Sequence, residues 1–253
     1  MDSTTPTKPT AGFQKASPRT SNIQVKNNSN WEVKETDIHI GKEIGRGTFG
    51  VVYFGTLFGQ DVAVKKIAAS ASPSETAMAA QMLRREVKAL SCCRHENVVQ
   101  LLGACSNPPM LILAYAAKGT LRDLLRQDNN PIHPSRKMEI LQGICNGMMK
   151  LHSVPILHLD LKPENVLISQ NGTPWVADFG LAIKMQSTLT GGAGSTKGGR
   201  GTMQYKAPEH FSDTGGFDSD SDDAEGETKA SPKIIYDKPA DVYSFGMMCW
   251  EIF

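Results

Sequence analysis

LHLDLKPEN, at positions 157–165, places Asp160 and Asn165 five positions apart with Lys162 between them, in a short segment flanked by apolar runs. An acid able to take a hydroxyl proton, an amide able to hold a divalent cation and a lysine able to face phosphate are the groups needed to move a phosphoryl group. A polar turn between strands also carries Asp and Asn simply to satisfy its own backbone. The neighbouring sequence therefore decides what this segment is.

Upstream, Gly45, Gly47 and Gly50 stand in GRGTFGVV, and Lys65 stands in VAVKK. A G-x-G-x-x-G spacing alone fits a dinucleotide-binding turn as well as a phosphate-covering hairpin. The dinucleotide fold needs a helix immediately afterwards, whereas Val51, Val52, Tyr53 and Phe54 are β-branched or aromatic and predict a strand, so the glycines belong to a hairpin. Their missing side chains let backbone N–H groups approach phosphate oxygens, and Val52 would cover one face of a base. In VAVKK, strand alternation puts Ala63 and Lys65 on one face and Val64 and Lys66 on the other. Lys65 is therefore the candidate for nucleotide phosphates.

Downstream come Asp178, Phe179 and Gly180, then Ala207, Pro208 and Glu209. This ordered series resembles the protein-kinase signature set over the chain from about Ile38 to its last residue. The wording IGRGTFGVVYFG, RHENVVQLLG, HLDLKPENVLI, GTMQYKAPE and ADVYSFGMMCWEI is most similar to the tyrosine-kinase-like branch of serine/threonine kinases. The resemblance implies an α+β, bilobal fold: a small antiparallel sheet with one helix, then a mainly helical lobe. It implies ATP and Mg2+, with Asp160 as base or orienting acceptor and Asn165 and Asp178 as metal ligands. It also assigns Lys65 an ion pair with a glutamate on the following helix; Glu86 in RREVKAL, one turn before Leu90, fits better than Glu75 or Glu96. The hinge falls at 114–117, where Ala114 and Ala116 would meet an adenine edge and Leu113 would guard the back of the pocket. Leu90, Leu101, His158 and Phe179 would stack as an internal apolar spine. Lys162, with Thr202 in GTMQY, favours Ser/Thr hydroxyls of protein substrates.

Composition is compatible with this. The chain has 253 residues, 40% of them hydrophobic, enough for one or two cores, and a net charge of +1 gives no reason to expect nucleic acid. Its five cysteines, with Cys92 and Cys93 adjacent, show neither metal-site nor disulfide spacing, which suits a reducing compartment. The start, MDSTTPTKPT, lacks a signal-peptide core, and the longest apolar run, from Met110 to Ala117, falls far short of the roughly 20 residues that span a bilayer. A cytoplasmic location is expected, with the nucleus left open.

Along the chain, 1–30 reads as a disordered Ser/Thr/Pro-rich tail in which Thr5 and Ser17 precede prolines. Residues 31–113 read as the small lobe, with strands around Ile38 to Ile44, Val51 to Phe54, Val62 to Val64, Val98 to Leu102 and Met110 to Leu113, and a helix from Thr76 to Leu90. Residues 118–253 read as the larger lobe. There Met138, Leu141, Ile144, Met148 and Leu151 form one helical stripe, and 212–232, around FDSDSDDAEGE, form an acidic, solvated insertion.

Two positions depart from the family pattern. Leu159 stands where most members have Arg, the residue that would pair with a phosphate on the activation segment. Leucine cannot do this, so phosphorylation of Thr188, Thr190, Ser195, Thr196 or Thr202 is not expected to act through it. The closing DVYSFGMMCWEIF reads as a helix made to be surrounded by protein, with Asp241 tethering the catalytic loop. The helices that would cover its far side are missing, so the sequence looks truncated, with Trp250, Ile252 and Phe253 on an open face of several hundred Å² or so. The alternative to an enzyme is a non-catalytic nucleotide-binding scaffold of the same fold. Such proteins typically lose the Lys65, Asp160 or Asp178 equivalent; here all three positions are filled.

Overall fold

Alternating apolar residues, punctuated by glycine, fold the first half into hairpins. The computed structural model describes residues 31–47, 50–67, 73–127, 131–185, 194–196, 201–211 and 234–253. In it β1 (Ile38–Gly47), β2 (Gly50–Leu57) and β3 (Gln60–Ile67) are followed by α1 (Pro73–Cys92), β4 (Leu101–Ser106) and β5 (Pro109–Ala114). The five strands form one antiparallel sheet in the order β1-β2-β3-β5-β4. The second lobe runs α2 (Leu121–Leu125), α3 (Pro134–Ser153), β6 (Ile156–Leu157), β7 (Val166–Ile168), β8 (Pro174–Val176), β9 (Ile183–Lys184), β10 (Gly194–Thr196), β11 (Ile234–Tyr236) and α4 (Lys238–Ile252). Its short strands pair as β6–β9, β7–β8 and β10–β11. This is the bilobal α+β arrangement that the signature residues imply.

The two faces of β3 do different work. Val62 and Val64 are fully buried in an apolar cluster with Ile38, Leu57, Met110 and Ile112, whereas Ala63 turns to the face shared with α1 and the second lobe. Ahead of β1, the stretch 31–33 runs along the free side of β4: Val33 N donates to Ala104 O at 2.8 Å and Ala104 N to Trp31 O at 2.7 Å. Gly103 permits this, because a Cβ there would collide with Val33 Cγ2. The extra segment covers an otherwise unpaired sheet edge.

Several boundaries differ from the sequence reading. Pro73 is the first residue of α1, so the helix starts three residues before Thr76; proline is well suited to that position because its missing N–H would be unbonded anyway. β4 begins at Leu101 rather than Val98, because Val99 N donates instead to Val176 O at 2.9 Å, across to the second lobe. α3 buries Leu141, Ile144, Met148 and Leu151 as expected, but Met138 is exposed. On α4, Trp250 and Phe253 are exposed, whereas Ile252 is buried on the opposite face with Met248. The expected tail at 1–30 with Thr5 and Ser17, the acidic stretch at 212–232, and Thr188 and Thr190 lie outside the described residues.

Candidate functional site

Between the lobes lies a cleft of about 960 Å³. Its roof is the glycine hairpin and β3: Gly45, Gly47, Gly50, Val52, Ala63 and Lys65 all face it. The tip of the hairpin, Thr48 and Phe49, lies outside the described residues. At the back, Leu113 and Ala116 line the cleft; Ala114 ends β5, gives its amide to Gln100 O at 3.0 Å, and does not line it. Two residues that the sequence reading passed over also line it, Tyr115 and Leu167. Leu167 faces the cleft because Val166 and Ile168 on either side are buried on the other face of β7. Tyr115 packs its ring edge-on to Phe54 of β2, with centroids 4.9 Å apart.

Three charges converge deep in this cleft. Lys65 Nζ lies 2.7 Å from Glu86 Oε2 and 2.9 Å from Asp178 Oδ1. β3 supplies the lysine, the buried face of α1 supplies Glu86, and Asp178 follows β8 in a left-handed backbone conformation, with φ 62°. Burial works against the Lys65 ammonium, but Glu86 and Asp178 outweigh it and raise its pKa. The depth of the cleft pushes the Asp178 carboxyl up, yet Lys65, with the backbone N–H of Gly180, holds it below the usual carboxylate range. Glu86 goes the other way: burial, aided by the charge of Asp178, raises its carboxyl in spite of Lys65.

A second network sits at the mouth. Asp160 Oδ1 accepts from the Thr202 amide at 2.9 Å and from the Thr202 hydroxyl at 2.7 Å. Its Oδ2 accepts from Asn165 Nδ2 at 2.9 Å and pairs with Lys162 Nζ at 3.0 Å, and Lys162 also donates to Thr202 Oγ1 at 2.7 Å. The backbone beneath is held by buried groups. Asp241 of α4 accepts from the amides of His158 at 2.9 Å and Leu159 at 2.8 Å. His158 Nε2 donates to Ala177 O at 2.9 Å, which leaves Nδ1 to accept from the Asp160 amide at 3.3 Å. Thus the residues on either side of Asp178 and Asp160 are tied together through one imidazole.

The donor set fits a magnesium ion. Asn165 gives both Nδ2 hydrogens to Asp160, to the backbone oxygen at 2.7 Å and to the carboxylate, which leaves its amide oxygen as the hard donor of the side chain. Among the described residues no cluster of three or more His, Cys, Asp or Glu forms a closed metal cage. One carboxylate and one amide suit an ion that keeps water and takes its remaining ligands from substrate phosphates. No described helix is long and apolar enough to cross a membrane.

A family model described as "Protein tyrosine and serine/threonine kinase" matches residues 38–253. The chain is 32% identical over 88% of its length to a putative serine/threonine-protein kinase/receptor, R826, of Acanthamoeba polyphaga mimivirus, covering 12% of that protein. It is 32% identical over 89% to the probable serine/threonine-protein kinase SIS8 of Arabidopsis thaliana, covering 20% of it. It is 31% identical over 88% to the serine/threonine-protein kinase STY46 of the same plant, covering 34% of it. The chain thus spans about a third or less of these relatives' lengths. Sheet, cleft and family match agree, and the chain belongs to the protein tyrosine and serine/threonine kinase family.

Proposed function

We propose that this chain transfers the γ-phosphoryl group of ATP to serine or threonine hydroxyls of protein substrates, as a magnesium-dependent kinase of the tyrosine-kinase-like group. The observation that carries the reading is the closed network of Asp160, Lys162, Asn165 and Thr202 at the mouth of the cleft that holds the Lys65–Glu86–Asp178 triad. Lys162 supports the serine/threonine assignment, since it joins Asp160 to the hydroxyl of Thr202 on the substrate side. The five free cysteines support a reducing compartment such as the cytoplasm.

Asp178 and Asn165 would hold the magnesium, which when bound neutralises phosphate charge. Lys65, fixed by Glu86, presents its ammonium to the nucleotide phosphates, while the glycine hairpin offers backbone N–H groups from above. At the other end Asp160 accepts the proton of the substrate hydroxyl as the hydroxyl oxygen bonds to the γ-phosphorus. The bond from that phosphorus to the β–γ bridging oxygen breaks, and ADP leaves with the electron pair. The hydroxyl of Thr202, 2.7 Å from Asp160 Oδ1, displays the geometry in which such a group donates. Lys162, 3.0 Å from Oδ2, holds that carboxylate oxygen in place. Most of the rate would come from placement and charge rather than covalent chemistry.

Radiolabelled phosphate transfer from ATP to a generic protein substrate tests this. Transfer by the chain that vanishes in Asp160→Ala is the expected result. ATP binding without transfer, in this chain and in a longer version of the protein, would favour the scaffold instead.

A further inference from the structure

Arg122 has no part in the chemistry above, yet its guanidinium joins three separate pieces of chain. It lies in the first turn of α2, inside the Thr120–Asp123 capping box that borders the cleft. Its guanidinium donates Nε to Glu164 Oε1 at 2.9 Å, Nη2 to Tyr205 Oη at 2.9 Å, and Nη1 to Glu251 Oε1. Tyr205 Oη in turn donates to Glu251 Oε2. These partners belong to separate pieces of chain. Glu164 lies between Lys162 and Asn165, Tyr205 ends the turn that begins just after Thr202, and Glu251 is in the last turn of α4.

An exposed ion pair is worth little, but this one differs in burial and in geometry. The Arg122 side chain is 19% exposed and Tyr205 is buried, so its bonds to Tyr205 and Glu251 are partly shielded from water, while Glu164 is exposed. Without the cation Glu164 and Glu251 would lose their shared counter-charge. A lysine cannot replace it, because one ammonium lacks the planar set of donors that reaches all three oxygens.

We propose that Arg122 is a positioning residue for the protein substrate: it locks the turn carrying Tyr205 and the turn carrying Glu164 to α2, so that Thr202 and Asp160 stay in register for the incoming hydroxyl. This rests on the phosphotransfer reading. Both turns flank the substrate end of the cleft, whereas Lys65, Glu86 and Asp178 have no bond to the cluster. Loss of Arg122 therefore acts on protein-substrate use and spares ATP.

The test uses the full chain carrying Arg122→Ala, Arg122→Lys or Tyr205→Phe, with steady-state kinetics for ATP and for a protein substrate, and amide hydrogen exchange over 201–206. Arg122→Ala should raise KM for the protein substrate by about tenfold while KM for ATP stays within about twofold. Exchange over 201–206 should quicken by about tenfold. Arg122→Lys should restore only part of both effects. Tyr205→Phe, which keeps the ring and removes the hydroxyl, should shift both in the same direction and add little to Arg122→Ala. Unchanged exchange in Arg122→Ala and Tyr205→Phe overturns the proposal. So does a parallel worsening of the ATP and protein-substrate constants that tracks a fall in Tm. If the unaltered chain transfers no phosphate, the kinase reading fails, and the exchange measurement still decides whether Arg122 fixes the segment.

Discussion

At the scale of single residues, the ammonium of Lys65 stands between two carboxylates whose pKa values move in opposite directions. Removing it in Lys65→Met leaves Glu86, which is 98% buried by side chain, without a counter-charge, at a cost of about 3–5 kcal/mol near neutral pH. The sign of the pH dependence follows. A carboxyl whose folded pKa is raised contributes fully below its unfolded value, about 4.3, and loses that contribution as pH rises through the folded value. In the variant Glu86 rises further, so the stability gap to the unaltered chain should narrow between pH 7.5 and 5, by about 1.4 kcal/mol per unit of added rise. Denaturant melts at both pH values measure it; a constant gap would mean that Glu86 does not take up the proton. Leu159 makes a different case. It is buried with Leu157, Tyr236 and Ala240, beside Ile183 and Met185, at φ 65°, and Gly201 packs on its carbonyl so closely that a Cβ would collide. An apolar contact here joins the loop that carries Asp160 to β9 and β11, where an arginine would need a phosphate. Leu159→Arg should therefore destabilise by about 2–4 kcal/mol through an unpaired buried charge. Phosphomimetic changes at Thr188 and Thr190 should leave turnover within about twofold; a sharp rise that disappears when Leu159 is changed would contradict this.

Among the elements, α3 shows how a helix sets the position of a cleft carboxylate, Asp178, without touching it. Gly143 and Gly147, one turn apart, let its backbone lie against β8 and Asn97. A Cβ on Gly147 would sit 2.5 Å from the backbone oxygen of Asn97, the same oxygen that accepts from Val176 N at 2.9 Å. Alanine gains about 1 kcal/mol of helix propensity over glycine. Forcing a methyl into closed packing against backbone costs about 1–3 kcal/mol and displaces β8, two residues from Asp178. The second effect should win, so Gly147→Ala is expected to lower Tm by several degrees, roughly 2–4 °C per kcal/mol at this size. A Tm equal to or above that of the unaltered chain would show that α3 can move away freely. The same element marks the limit of what the amino-acid order reveals. Its stripe of Leu141, Ile144, Met148 and Leu151 was legible from spacing, because burial on one face requires it. That Met138 lies outside the contact was not, since one exposed methionine leaves the period intact. Lys65, Glu86, Asp160 and Asn165 were readable from motif and strand alternation, whereas Leu167 was not, because Val166 and Ile168 beside it are apolar too and only their burial separates the faces. The start of β4 was not readable, because Val98 and Val99 have the composition of a strand in either lobe and only the distant partner, Val176, decides between them.

Across the whole molecule, the two lobes share one apolar core. Leu90 of α1 and Leu101 of β4 are in the same buried cluster as Phe179, Leu151 of α3 and Met248 of α4. His158 lies edge-on to Phe179 with centroids 5.0 Å apart, so the spine that the kinase resemblance implies is continuous with the loop that carries Asp160. The shared core binds the two lobes at the back of the cleft. Phe179 is fully buried between α1 and the second lobe, and α1 carries Glu86. Phe179→Ala should remove about 3–5 kcal/mol, the cost of deleting a buried aromatic ring and leaving a cavity. Because the cavity opens at the joint, the damage should extend beyond stability: α1 loses the support that keeps Glu86 against Lys65, and nucleotide affinity should fall although no atom of Phe179 lines the cleft. The unaltered chain should melt in a single transition, with near-ultraviolet dichroism and tryptophan fluorescence coinciding, since Trp31 reports on the first lobe and Trp175 on the second. Phe179→Ala should separate the two signals. Two transitions in the unaltered chain, or coincident melting in the variant with nucleotide affinity intact, would mean that the lobes are stabilised independently and that Phe179 is merely one core residue among many.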